Sequence, residues 1–104
     1  MTFTRRHALA LPALILPGAA AAQAWNPSRP VRIVVPFTAG GATDVSARIM
    51  AERLGALMGQ SFVVDNRPGA GGNVGTEAVA KADPDGHTLL MGTIGTASIN
   101  QFLY

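Results

Sequence analysis

The chain has 104 residues, eight basic and six acidic, for a formal charge of +2, with no cysteine and an aromatic content of 6%. Without cysteine there are no disulfides and no thiolate metal sites, and sparse aromatics without a basic stripe argue against nucleic-acid binding. The excess charge resides in Arg5 and Arg6, because beyond position 24 six basic residues (Arg29, Arg32, Arg48, Arg53, Arg67, Lys81) face six acidic ones (Asp44, Glu52, Asp65, Glu77, Asp83, Asp85).

Residues 1–24, "MTFTRRHALALPALILPGAAAAQA", have the three regions of an export signal. A basic start at Arg5 and Arg6 leads into an apolar stretch from Ala8 to Leu16, and Ala22-Gln23-Ala24 fits a signal-peptidase site, so cleavage is expected near Ala24. Pro12 and Pro17 interrupt the stretch, which falls short of the roughly 20 apolar residues of a membrane span. Thr4-Arg5-Arg6 also resembles a twin-arginine signal, with departures at Ala8 and Ala10, and both the Sec and the Tat route stay open. An exported chain without disulfides depends on its core. About 80 residues then remain, and a chain that short buries only about 60% of its unfolded surface.

After "WNPSRP", the β-branched run "VRIVV" (31–35) predicts a strand buried on both faces. Helical spacing takes over at 44–58: Ala47, Met50, Ala51, Leu54, Leu57 and Met58 form an apolar stripe that Val45 and Ile49 widen. Gly59 is placed for a left-handed C-terminal cap. Arg48 and Glu52 stand as a surface i,i+4 pair. "FVV" (62–64) is a second strand and leads into the loop "DNRPGAGGNVG". A short helix is expected from Asn73 or Thr76 to Lys81. "DPDG" (83–86) is a turn, with Pro84 presetting φ and Gly86 permitting a positive φ. "HTLLMG" (87–92) is a third strand, with His87 expected as a solvated edge residue, and "TIGTASINQFLY" reads as another strand-to-helix junction.

Strand–helix–strand–helix–strand at this spacing predicts an α/β fold with a parallel sheet. Ligands of such sheets bind outside the carboxyl ends of the strands. The loops Phe37–Asp44, Arg67–Gly75 and Thr93–Asn100 all fall on that rim. Nucleotide motifs do not fit them. "FTAGGATD" lacks G-x-G-x-x-G spacing, the third glycine of "GAGGNVG" would fall on Val74, and Gly75 is followed by Thr76-Glu77 where a P-loop needs lysine. A different anion suits Gly40 and Gly41 better, since unshielded amides there precede a helix N-terminus with partial positive charge. Asp44 could be the N-cap, could fix the loop while the ligand sits on the glycine backbone, or could receive an amino group or water. The residues alone leave open whether the glycines serve a ligand or only a tight turn and close packing. Arg67 is either an anion contact on the rim or a surface arginine. No nucleophile–base–orienter set is visible.

Three long segments, "PSRPVRIVVPFTAGGATDVSAR", "GQSFVVDNRPGAGGNVGTEAVAKADPDGHTLLMGT" and "ASINQFLY", closely resemble the Bug family, the extracytoplasmic solute receptors of tripartite tricarboxylate transporters. The resemblance spans 27–104. It implies a periplasmic receptor of the Venus flytrap (periplasmic-binding-protein) fold, not an enzyme. Such a receptor traps a di- or tricarboxylate or an amino acid between two domains, without cofactor or metal. It delivers the solute to membrane permease subunits and is a monomer at full length.

Carried over residue by residue, the resemblance puts Phe37, Thr38, Gly40, Gly41 and Asp44 on the first cleft loop. Thr93, Gly95, Thr96 and Ser98 fall on the loop after the third strand. Binding through backbone amides is implied, because a desolvated N–H nest holds a carboxylate without lysine. Residues 25–104 are then expected to be the N-terminal part of the first solute-binding domain, the second domain being absent. Such a piece alone is expected to bind weakly or not at all. Two other expectations stand beside this one: the start of an exported α/β enzyme with catalytic residues beyond Tyr104, or a truncated reading frame without function.

Overall fold

The computed structural model describes residues 25–104; the expected export signal at 1–24 lies outside the described residues. Three strands, β1 (Val31–Val35), β2 (Phe62–Asn66) and β3 (Thr88–Leu90), form one sheet in the order β2-β1-β3. Both pairings are parallel, with Ile33 opposite Val64 on one side and Leu89 on the other. The central strand is the most apolar one. Val31, Ile33, Val34 and Val35 are all buried, and each such side chain contributes roughly 1.5–3 kcal/mol by leaving water. β2 runs two residues beyond the expected "FVV", and β3 is shorter than "HTLLMG" suggested.

Helix α1 (Ala42–Met58) follows β1 and ends at Gly59, which adopts the expected left-handed cap at φ 68°. Its Ala47 and Ala51 pack with Ile33 and Val35, bordered by Phe37, Phe62, Val64 and Met91. The contact strip is narrower than the apolar stripe. Leu54 and Met58 are half-buried, whereas Val45, Ile49, Met50 and Leu57 are exposed. The reason is the width of the sheet: α1 packs mainly over β2 and β1, at one side of three strands. No described helix is long and apolar enough to cross a membrane.

Beyond β2, the chain makes a 3₁₀ turn (Ala70–Gly72) and helix α2 (Asn73–Ala80), which lies against β1 and β3. Gly75 sits at the closest approach. A Cβ there would lie 2.8 Å from the Arg67 carbonyl oxygen and 2.9 Å from Pro36 Cα, so only a hydrogen lets α2 reach the end of β1. After β3 come a π-helical turn (Gly95–Ile99) and the short helix α3 (Asn100–Leu103).

The amino end of the sheet is closed by a second cluster. His87 is buried, correcting the expectation of a solvated edge residue. Its Nε2 accepts the Ser28 amide at 3.3 Å, and Trp25 packs edge-on at 5.5 Å between ring centroids. Asp85 binds Arg29 at 2.7 Å and accepts the His87 amide at 3.0 Å, while its backbone carbonyl accepts Trp25 Nε1 at 3.2 Å. The segment leading into β1 thus folds over the "DPDG" turn, whose Gly86 has φ 83°.

Candidate functional site

The rim at the carboxyl ends of β1 and β2 is built around Asp44. β1 ends in buried Pro36, the chain turns out to solvent at Thr38–Gly40, and Gly40 takes φ 92°, a conformation costly for residues with a Cβ. Gly41, not Asp44, is the N-cap of α1, and it makes no side-chain cap hydrogen bond. Asp44 is the third helical residue, and its carboxylate reaches back past the N-cap. Oδ2 accepts the Gly40 amide at 2.9 Å and Arg48 Nε at 3.1 Å, and Oδ1 accepts Asn66 Nδ2 at 2.9 Å. Of the three roles open to Asp44, this geometry matches the one that fixes the loop.

Asp44 is 3% exposed, yet ionised. The Gly40 amide, then Asn66, then Arg48 favour the carboxylate and outweigh desolvation, holding its pKa at about 2 against an ordinary 3.8. Arg48 is therefore not the partner of Glu52 that i,i+4 spacing suggested. It turns toward the N-terminus of α1, where its Nη2 also donates to Asn66 Oδ1 at 3.2 Å. A buried carboxylate with one cation and two neutral donors is the stronger attractor, since Glu52 is solvated.

The helix ladder begins with the Val45 amide donating to the Gly41 carbonyl at 3.0 Å. The amides of Ala42, Thr43 and Asp44 precede it and have no intrahelical acceptor. Because Asp44 is spent on Gly40 rather than on these amides, they keep their capacity for an acceptor from outside, beside Thr38, Gly40 and Gly41 on the exposed loop. The helix dipole gives that position partial positive charge.

The other two rim loops meet the first through Gly72. A Cβ on Gly72 would lie 2.5 Å from Thr96 Cγ2 and 3.3 Å from Phe37 Cζ, so Phe37 and Thr96, from different loops, converge on one glycine with φ 97°. Thr93 and Thr96 lock their own turn: the Thr93 amide donates to Thr96 Oγ1 at 2.9 Å, and that hydroxyl donates to the Thr93 carbonyl at 3.0 Å. Asn100 Nδ2 ties the end of this segment to the Gly71 carbonyl at 2.9 Å and to Asn73 Oδ1 at 2.7 Å. Gly95 and Ser98 lie in the π-helical turn, and no hydrogen bond among the described residues joins them to Phe37–Asp44. Arg67 pairs with Asp65 through Nε at 3.0 Å.

The residue that sequence reasoning missed is Asn66. Its signal was positional: register places it opposite Val35, the last residue of β1, within reach of the loop that follows. Among the described residues no group of three or more His, Cys, Asp or Glu could hold a metal. Two open depressions lie off the rim, about 390 Å³ beside Arg48, Glu52 and Phe62 and about 410 Å³ beside Trp25, Pro84 and Leu89.

A family model described as the tripartite tricarboxylate transporter family receptor matches residues 46–104, more than half of the chain. A protein from the TAR-I ttuE-ttuC' intergenic region of Agrobacterium vitis is 50% identical over 95 residues, covering 91% of this chain and 28% of its own length. Among solved structures, the periplasmic binding protein BugD is 53% identical with a TM-score of 0.60, over 62% of this chain and 21% of BugD. An R. palustris protein solved with adipate is 54% identical with a TM-score of 0.65, over 66% of this chain and 23% of its own. MatC from Rhodopseudomonas palustris, solved with bound malate, is 46% identical with a TM-score of 0.65, over 67% of this chain and 24% of its own. The chain spans about a quarter of the length of these relatives. Its parallel three-stranded unit is part of the periplasmic-binding-protein fold.

Proposed function

The chain belongs to the tripartite tricarboxylate transporter receptor family, a family of receptors rather than enzymes, and from that premise we propose that it takes part in binding a small carboxylate, a di- or tricarboxylate or an amino acid, outside the cytoplasm. The observation that carries this reading is the uncapped start of α1, where the amides of Ala42 and Thr43 have no acceptor among the described residues and follow an exposed Gly40–Gly41 turn, while Asp44 is neutralised from behind by the Gly40 amide, Asn66 and Arg48. A carboxylate meets donors and a favourable dipole there without meeting a free negative charge. Two similar proteins were solved with adipate and with malate, both dicarboxylates. Phe37, Thr38, Gly40, Gly41 and Asp44 form the first contact loop of this reading, and Thr93, Gly95, Thr96 and Ser98 the second.

In the same reading residues 1–24 are removed near Ala24, residues 25–104 are the first part of a solute-binding domain, and a membrane permease receives the solute. The test is a thermal-shift titration of the protein at its full natural length with malate, adipate and citrate, and with uncharged amides as controls. A ligand that binds only the native state raises the unfolding temperature with concentration. A shift with one of the acids and none with the amides is the expected result. No shift with any acid, or an equal shift with the amides, overturns the reading. Intact mass of the exported protein tests cleavage at Ala24.

A further inference from the structure

We propose that Asn66 is the positioning residue of the rim: its carboxamide ties the end of β2 to the Phe37–Asp44 loop and sets which way that loop's backbone faces. This rests on the carboxylate-binding reading above only for its ligand; the tie itself is a matter of geometry.

A carboxamide offers two hydrogens and an acceptor oxygen, and Asn66 uses all of them. One Nδ2 hydrogen goes to Asp44 Oδ1 at 2.9 Å and the other to the Phe37 carbonyl at 3.2 Å, while Oδ1 accepts Arg48 Nη2 at 3.2 Å. Asn66 thereby contacts the first residue of the loop, the helical residue that ends it and the cation that neutralises that residue. The Phe37 carbonyl is the consequential partner. Left unpaired at the rim, a carbonyl oxygen directed at the ligand position would repel a carboxylate. Bonded to Asn66, it points toward β2, and the amides that follow it in the turn are left to the other side. Asp44 is likewise occupied on both oxygens, so it neither folds forward over the Ala42 and Thr43 amides nor confronts an incoming anion.

Only an amide of this length fulfils all three roles. A carboxylate in its place is excluded by charge, because an ionised acid facing Asp44 Oδ1 offers no hydrogen and adds a like charge. Alanine leaves the Phe37 carbonyl and one Asp44 oxygen without this donor.

The experiment uses the full natural-length protein with malate as the probe and follows two readouts, malate affinity and hydrogen exchange of the Gly40 amide. Asn66→Ala is expected to weaken malate binding by about tenfold or more and to speed exchange at Gly40, because Asp44 loses the partner that aims it. Asn66→Asp is expected to bind poorly at neutral pH and to regain affinity as pH falls. There a proton shared by the two carboxylates restores a donor toward Asp44, and the unsubstituted protein at each pH corrects for ionisation of malate. A merely structural role would not produce that recovery. Ala51→Gly, in the core away from the rim, serves as the control that lowers stability without changing affinity.

Unchanged malate affinity in both Asn66 variants, or unchanged Gly40 exchange in Asn66→Ala, overturns the proposal. An unsubstituted protein that ignores malate, adipate and citrate alike while Asn66→Ala still releases Gly40 overturns the carboxylate reading instead and leaves the tie standing.

Discussion

At the carboxyl end of the sheet, Asp44 is buried and receives Gly40, Asn66 and Arg48; at the amino end, Asp85 is partly exposed and receives Arg29 and the His87 amide. Both carboxyls are held at about 2 by similar causes, hydrogen bonds to an arginine and to a backbone amide. What differs is what remains free around them. The Asp85 cluster turns inward: Trp25 and Ser28 also donate into it, and its product is a fastened N-terminal segment. The Asp44 cluster stands behind a loop and leaves the amides in front of it unclaimed. The same acid–arginine chemistry closes one end of the sheet and, at the other, fixes a loop whose leading helix amides stay unclaimed among the described residues.

Asp44→Ala should abolish what sets the carboxyl end of the sheet apart. It frees Gly40, Asn66 and Arg48 together, and the malate-dependent thermal shift is expected to vanish while Gly40 exchange accelerates. Gly72→Ala comes next, since its Cβ would collide with Thr96 Cγ2 at a positive φ. A loss of about 1–3 kcal/mol is expected in chemical unfolding, together with weaker malate binding as Phe37 and Thr96 are pushed apart.

Asp85→Ala should lower the unfolding temperature and leave malate affinity as it was, which is the clearest contrast with Asp44→Ala. Both carboxyls have folded pKa values of about 2, below the ordinary 3.8. The stability they contribute is therefore complete above about pH 4 and is lost as pH falls toward 2. Unfolding temperature followed from pH 5 to pH 2 should decline across that window, clearly less steeply in Asp44→Ala and only slightly less so in Asp85→Ala, whose ion pair is screened by solvent. Arg29→Ala should have the smallest effect, because its pair with Asp85 is solvent-exposed and such pairs contribute little.

Much of this arrangement was legible beforehand. "VRIVV" is β-branched at every position but one, and it is the buried central strand. The period of Ala47, Ala51, Leu54 and Met58, with Gly59 behind it, placed α1 and its end. Parallel pairing followed from alternation, and that topology put the three loops on one rim. Local pattern suffices for these features because they depend on period, chain stiffness and backbone freedom within a few residues.

Partner choice was not legible. Arg48 has acids at both i−4 and i+4, and spacing alone favoured Glu52. Burial of Asp44 beside the end of β2 reversed that choice, because a carboxylate withdrawn from water recruits every donor within reach. His87 carries nothing in its neighbours that marks it as buried; it became so when the segment from Trp25 to Pro30 crossed over it. Val45, Ile49 and Leu57 belong to an apolar stripe, yet exposure depends on how wide a sheet lies beneath. Residue pattern was enough to say which elements form, in what order, and where glycine opens the backbone. It took the folded sheet to bring an asparagine at the end of β2 against the loop after β1, because residues 29 positions apart become neighbours only when parallel strands fall into register.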